Sequence, residues 1–421
     1  MKKSDILIIG NGISGLFAAC IAADMGKKVQ ILSYGAGTLT IGGGIIDVLG
    51  YDDQGKFIAD PLKGMDGISA NHPYAKTGAQ TAKKALEAFL KITEEEGYPY
   101  LGSPDKNLWL PTAVGNFKPT CLVPRTMDTE ALFKADNILV VGFDTMKDFY
   151  ADMATKNLRE RLSKNKNVEE FIVKLNFEYG RDLRDISAMD VARWLETDEG
   201  HRSFVDQVKG HVKANTAIVL PPVLGLEPNY KVLDSLKKEL SCALIEVSSL
   251  PPAVTGTRLN KMLHSCAKKR GVQIIEKARV VGSEIIDGKC QAVITEGFDR
   301  QRKFYAEQFI LATGGVYGGG IIAKIGAMSE PIFNIDIEVP KVQTDWSYKQ
   351  LFADKKQIFA QYGVSVDENL TPVAADGSKP ASNVKVVGRS LAGYDFCYEK
   401  SGNGVALITA YKAAAAFCGE A

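Results

Sequence analysis

The chain carries almost no net charge, with 51 Lys and Arg against 50 Asp and Glu. Without a basic excess there are few counterions to release from a polyanion, which excludes general nucleic-acid binding. An anionic substrate must then be held by a local group of Arg and Lys. Histidine is scarce, four residues in 421, and shows no ligand spacing, so no metal site is expected. The seven cysteines (Cys20, Cys121, Cys242, Cys266, Cys290, Cys397 and Cys418) are scattered, odd in number and lack a C-x-x-C pair. That excludes a disulfide framework and an iron–sulfur ligand set, and reads as reduced thiols of a cytoplasmic chain. An unbroken apolar span is missing too. Ile6 to Ala23, behind Lys2 and Lys3, has the look of a signal peptide or membrane span, but Asn11 and three glycines interrupt it. The expectation is a soluble protein whose membrane contact, if any, is peripheral and made through a partner.

What is present is glycine in ordered places. Asp5 to Ile9 reads as a buried strand running into Gly10-Asn11-Gly12-Ile13-Ser14-Gly15 and an apolar helix from Leu16 to Met25. In this G-x-G-x-x-G, Gly10 permits the turn, Gly12 lets backbone approach a phosphate, and Gly15 lets helix pack on strand. The helix N-terminus adds unpaired N–H groups and partial positive charge. A second strand, Lys28 to Leu32, completes a βαβ start. Where a dinucleotide fold carries Asp or Glu for the adenosine ribose, this chain has Ser33-Tyr34. That departure weakens NAD, counts less strongly against FAD, and suits FMN, which lacks the adenosine half. Thr38 to Asp47 then holds Gly42-Gly43-Gly44 between threonines and isoleucines, a loop able to lie on a flat ring or cradle a phosphate.

Farther along, a charged amphipathic helix is predicted over Thr77 to Glu96, and Gly102 to Thr129 reads as irregular. Ile138 to Gly142 is a strand, with Asp144 or Thr145 capping the helix that follows. Gly142 stands alone and signals no second cofactor motif. Ile218 to Pro222 reads as another strand end. A helix over Arg258 to Lys269 leads to the strand Val272 to Ile275, and Asp287-Gly288 marks a hairpin. The meander ends in Phe309-Ile310-Leu311-Ala312-Thr313-Gly314-Gly315, which brings a second backbone segment to the phosphate region, followed by the glycine loop Val316 to Gly320. Val386-Val387-Gly388-Arg389, Gly393-Tyr394-Asp395 and Ser401-Gly402-Asn403-Gly404-Val405 open an alanine-rich helix to Phe417. Its dipole is suited to the flavin pyrimidine edge.

These blocks, in this order, resemble two-dinucleotide-binding flavoproteins of the succinate dehydrogenase and fumarate reductase type. With Gly43 to Leu49, Asn71-His72-Pro73-Tyr74, Val140 to Gly142 with Asp148-Phe149, Leu250 to Leu259 and Glu330-Pro331-Ile332, the likeness extends to the B-subunit family of anaerobic glycerol-3-phosphate dehydrogenases. The expected fold is α/β, a Rossmann-like two-dinucleotide-binding fold with a β-meander and an inserted second α/β domain. The flavin-binding domain is expected over 1–100, 246–330 and 381–421, the inserted domain over 101–245, and a cap or substrate segment over 331–380. The resemblance implies a flavin, FMN with FAD as the alternative, and oxidation of sn-glycerol 3-phosphate to dihydroxyacetone phosphate. It also implies a companion flavoprotein subunit and an iron–sulfur subunit that pass electrons toward quinone at the inner face of the cytoplasmic membrane. Cofactor positions are Gly10, Gly12, Ile13, Ser14, Gly15, Ser33, Thr40, Gly42, Gly43, Gly44, Val280, Ala312, Thr313, Gly314, Gly388, Arg389, Gly404 and Val405. For chemistry, a base is sought in His72 or Glu330, with Asp395 behind them, and phosphate-binding cations in Arg258 and Arg389. Two alternatives remain. In one the chain is an electron-relay or assembly flavoprotein whose partner does the chemistry; in the other it is an FAD-dependent fumarate reductase-like enzyme.

Overall fold

The computed structural model describes residues 3–176, 186–249, 251, 253–297, 300–350 and 354–419; Lys2, Leu250 and Pro252 lie outside them. The N-terminal strand Ser4–Ile9 sits inside a seven-stranded sheet because Leu7 and Ile8 are buried on both faces, as parallel central strands require. It pairs in parallel with Val29–Leu32 on one side and with the second half of Arg302–Leu311 on the other. Gln273–Ile275 extends the first side, and Val384–Val386 pairs in parallel with the same Arg302–Leu311 strand. The first half of that ten-residue strand turns to antiparallel pairing with Lys289–Thr295, which pairs with Val280–Ile286. One strand thus joins the parallel core to the meander. Asp287 and Gly288 both have positive φ, 51° and 68°, as a two-residue hairpin turn of matching twist demands.

Two helices pack against each other on this sheet. Ile13–Asp24 is buried from Ile13 to Ala22, and Gly402–Phe417 is buried from Gly404 to Ala410, so small residues let the two backbones approach closely. Pro73–Glu95 lies on the second of these, starting at Pro73 rather than Thr77 and broken at Gly78, whose φ is 75°. Val254–Lys269 packs on Ile13–Asp24, where Cys20 and Cys266 meet as buried free thiols with sulfurs 3.1 Å apart.

The middle of the chain builds its own four-stranded parallel sheet in the order Ala243–Glu246, Thr216–Leu220, Asn137–Phe143, Asn167–Val173. The stretch read as irregular instead holds two short antiparallel pairs, Tyr100–Gly102 with Leu122–Pro124 and Leu108–Pro111 with Phe117–Thr120. Strands of three or four residues are too short to show a period. Neither Asp144 nor Thr145 caps a helix: the next one is Ala151–Arg161, its N-cap is Tyr150, and Asp144 Oδ1 accepts from the Leu175 amide. A third, small antiparallel sheet of Ile322–Lys324, Ala327–Glu330 and Ile335–Ile337 has a separate core of Ile321, Met328, Ile337 and Trp346. Among the described residues no helix is long and apolar enough to cross a membrane.

Candidate flavin site and adjoining cavity

At the end of the first strand Gly10 adopts φ 108°, and a Cβ there would stand 2.3 Å from the Ala312 carbonyl oxygen. Only glycine fits, because the Ala312 segment crosses directly over the turn. Gly15 is equally closed, with the Gly10 carbonyl 2.0 Å from its would-be Cβ. Gly12 differs. Nothing lies within 4 Å of the position its Cβ would take, although Asn11 and Ile13 on either side are buried. Gly12 is the N-cap of Ile13–Asp24, no side chain caps that helix, and its first turn holds no acid. The first amides, those of Ile13 and Ser14 among them, have no partner inside the helix. An open, electropositive notch at a glycine is what a pyrophosphate needs, and the residues present fit a dinucleotide there.

Other predicted segments converge on this turn. Gly388, at φ 66°, packs where Ser14 Oγ would stand 2.3 Å from a Cβ, and its amide donates to Thr409 Oγ1. Ala312 donates its amide to Ile9, Thr313 Oγ1 lies 3.3 Å from Ser390 Oγ, and Gly314 takes φ 81°. Gly37 folds the intervening loop back so that a Cβ there would stand 3.4 Å from the Gly12 Cα, and Thr40 donates to the Gly37 carbonyl. Gly42, Gly43 and Gly44 lie against the start of Val254–Lys269: Thr255 Oγ1 donates to the Gly43 carbonyl at 2.7 Å, and Gly256 admits the Gly42 oxygen where a side chain would clash. Tyr100 donates to the Gly44 carbonyl, and Asn403 Nδ2 to the Ile45 carbonyl at 2.7 Å. Thr255, Gly256, Tyr100 and Asn403 were not singled out for this task in the sequence. Their role depends on contacts across 56 to 358 residues, for which a single sequence carries no signal.

Not every predicted cofactor residue offers a free group. Gly404 and Val405 lie beside the loop, but the Gly404 amide donates to Asp47 and the Val405 amide to Ser401. Ser33 is buried with its hydroxyl turned onto the Gly35 carbonyl, and its backbone is held by Ile275 and Ala278. Val280 is half-buried at the head of its strand.

Of the four candidate catalytic residues, three are engaged in holding the fold. His72 is buried, Nδ1 accepts from the Tyr74 amide as an N-cap, and Nε2 lies 2.9 Å from Glu399. Both ring nitrogens are thus engaged within the fold, one as a helix cap and one against a carboxylate. Glu330 is fully buried and accepts from the Ile332 and Phe333 amides at 2.9 and 2.7 Å; burial pushes its carboxyl up to about 7. It braces a loop and does not line the cavity. Arg258 is fully buried in a two-pronged pair with Glu246 at 2.6 and 2.9 Å, and its Nε donates to Gly225. It ties the Val254–Lys269 helix to the edge strand of the middle sheet and leaves no prong for a phosphate.

Arg389 is the exception. It lines a cavity of about 860 Å³ together with Tyr317, Tyr362, Tyr394, Asp395, Phe396 and others. Its guanidinium lies on the face of Phe396, 3.1 Å from the ring centroid, and 5.7 Å from that of Tyr317. Burial pushes it below its ordinary value. Among the described residues no carboxylate pairs with it. Asp395, predicted as a reserve base, accepts from the Cys397, Tyr398 and Gln357 amides instead. Groups of three or more His, Cys, Asp and Glu arranged to hold a metal are absent among the described residues.

Comparison with known proteins agrees with this geometry. The model of the FAD binding domain family matches residues 5–405. The expectation of FMN ahead of FAD is thereby corrected: the missing ribose acid was given too much weight against a cradle that spans the whole chain. The anaerobic glycerol-3-phosphate dehydrogenase B-subunit of Vibrio cholerae serotype O1 is 28% identical, covering 98% of this chain and 96% of its own. The probable B-subunit of Halobacterium salinarum is 30% identical, covering 98% and 97%. A solved structure of 3-ketosteroid delta1-dehydrogenase from Sterolibacterium denitrificans spans both chains fully at 10% identity and a TM-score of 0.45. The chain belongs to the FAD binding domain family, as a flavin-dependent oxidoreductase similar over nearly its whole length to the B-subunits of anaerobic glycerol-3-phosphate dehydrogenases.

Proposed function

We propose that this chain is a flavin-carrying subunit of an anaerobic glycerol-3-phosphate dehydrogenase, with FAD as its cofactor. In the complex, sn-glycerol 3-phosphate is oxidised to dihydroxyacetone phosphate. A companion flavoprotein subunit and an iron–sulfur subunit are the partners, the latter passing electrons toward quinone at the inner face of the cytoplasmic membrane. The observation that carries the reading is the open notch at Gly12, built by segments from both ends of a chain whose whole length resembles these B-subunits. A bound flavin supplies a two-electron acceptor. The chain's own residues hold it: Gly12 and the uncapped helix take the pyrophosphate, and Thr255 and Asn403 fix the Gly42–Gly44 loop. Arg389 is the remaining candidate of the four for an anion. Scattered cysteines give this chain no place for its own cluster, so electrons would leave to a partner.

A second reading, in which this subunit relays electrons while the companion oxidises the substrate, is favoured by one observation. Alcohol oxidation needs a base near the reacting carbon, and the acids lining the cavity are Asp354, which is exposed, and Asp395, which is locked on three amides. An anaerobic absorbance titration separates the two. Bleaching of the flavin band when glycerol 3-phosphate is added to the purified chain supports catalysis here; a flavin reduced by dithionite but not by substrate supports relay.

A further inference from the structure

Cys20 and Cys266 stand apart from the other buried thiols. Both are fully buried, on Ile13–Asp24 and Val254–Lys269, with their sulfurs 3.1 Å apart. Cys121 and Cys290 are also buried but give their thiols to the Ser103 and Ala292 carbonyls, at 3.1 and 3.4 Å. Cys266 has a second neighbour. Arg270, one turn farther along the chain, donates from Nη1 to its sulfur at 2.9 Å. That guanidinium is itself aimed by Asp24 and Glu95, each at 2.8 Å, and by Glu96 at 3.6 Å. A guanidinium favours the thiolate, the reactive form of cysteine, on the sulfur it touches. The remaining proton stays with Cys20, whose thiol is pushed above its ordinary value by the hydrogen bond to Cys266 and by burial. One sulfur is set to attack and the other to resolve. Arg270 is partly exposed and leads from the pair to the surface. Position matters as much. Ile13–Asp24 begins at the Gly12 notch, and Val254–Lys269 holds the Gly42–Gly44 loop on Thr255 and Gly256. A bond between the two sulfurs would tie together the helices that support both glycine segments.

We propose that Cys20 and Cys266 are a peroxide-sensitive dithiol that closes to a disulfide and holds the flavin cradle shut. The Cys266 thiolate attacks one oxygen of hydrogen peroxide; an S–O bond forms, the O–O bond breaks and hydroxide leaves. The Cys20 sulfur then attacks Cys266, the S–S bond forms, the S–O bond breaks, and the departing hydroxide takes the Cys20 proton as water. Two electrons pass from the sulfurs to the peroxide, so that one peroxide and two thiols become one disulfide and two waters. Because the cysteines are far apart in sequence, the cross-link also removes the entropy of a long loop from the unfolded chain. The bond itself follows from the placement of the two sulfurs and Arg270, and its effect on flavin release rests on the proposed function.

The test treats the flavin-loaded chain with hydrogen peroxide under anaerobic conditions and counts thiols in denaturant. Expected is the loss of two of the seven thiols, restored by dithiothreitol, with a peptide map that joins Cys20 to Cys266. The oxidised chain should melt about 3 °C or more higher. It should also release its flavin at least about threefold more slowly on dilution, because linked helices open less readily. Neither Cys20→Ala nor Cys266→Ala should gain melting temperature or retain flavin longer after oxidation. Arg270→Gln should form the cross-link about tenfold more slowly; a rate equal to the parent's would overturn the attacking role of Cys266. The peptide map needs no variant, so it decides the matter even where a variant fails to fold. Intact thiols, a different pairing, or oxidation of both cysteines without a bond between them would overturn the proposal. A disulfide that leaves flavin release unchanged would overturn its hold on the cradle. A chain that takes up no flavin would sink the proposed function while the same peptide map still reads the cross-link, so the two fail separately.

Discussion

The seven-stranded and four-stranded sheets both run strands in parallel into helices, yet among the described residues they treat the helix N-termini differently. The difference lies in the first turn of each helix. Ile13–Asp24, Val254–Lys269 and Gly402–Phe417 carry no acid there and no capping side chain. In the middle region Ala151–Arg161 begins with Asp152, Ala188–Leu195 has Asp190 in a capping box, Asp198–Val208 has Asp198 and Glu199 under a Thr197 cap, and Lys231–Leu240 has Asp234. These helices answer their own dipoles with carboxylates. Two glycines differ in the same sense: Gly12, the N-cap of its helix, faces open space, whereas a Cβ on Gly142, inside its strand, would meet Ala151 at 2.9 Å. Parallel topology points helix ends at the sheet edge, and a helix end left without an acid or a cap stays open to an anion.

The largest effect is expected where the two regions are joined. Glu246→Leu leaves Arg258 buried and unpaired, and should cost about 3–5 kcal/mol in urea unfolding, while any folded protein retains its flavin. Next, Gly12→Asp gives the cradle helix the acid that the middle helices have. Repulsion at close range should weaken flavin binding by about 3 kcal/mol, read by fluorescence of released flavin. The apoprotein should be as stable or more so, since a cap of this type adds roughly 1 kcal/mol. Glu330 is a carboxylate that accepts amides in the small sheet, outside both regions. Its folded value, raised from 4.5 to about 7, means that its share of stability is complete below pH 4.5 and is lost as pH rises through 7. Melting temperatures between pH 4.5 and 8 should fall less steeply in Glu330→Gln; an unchanged slope would count against a buried, proton-binding Glu330. The smallest effect is Asp152→Asn, about 0.3–1 kcal/mol, with flavin content unchanged.

The parts legible in the sequence were those whose signal is local. The strand, turn and helix around Gly10 to Gly15, the Asp287-Gly288 hairpin and the strand ends at Leu311 and Val386 each rest on a few adjacent residues. The positive φ at Gly10, Asp287 and Gly288 is what those residue types are there to supply. Residue roles were harder, because they depend on burial and on distant partners. Arg258 has the chemistry of a phosphate clamp, and only its partner Glu246, at the edge of another sheet, makes it structural. His72 before Pro73 caps a helix through Nδ1 and meets Glu399 through Nε2. Phe396 carried no motif, and becomes informative through the Arg389 guanidinium on its face.

The path of the chain through the seven-stranded sheet also sets an order of assembly. Ser4–Ile9 emerges first in synthesis, yet its parallel neighbour Arg302–Leu311 follows some three hundred residues later, and that strand is paired in turn by Val384–Val386. Gly10 meets Ala312, and Ser14 meets Gly388, only once the chain has been made as far as Gly388. Such distant closures are slow steps in folding. A chain that stops before Gly388 therefore lacks this notch, and the cofactor can be loaded there only after that residue has been translated.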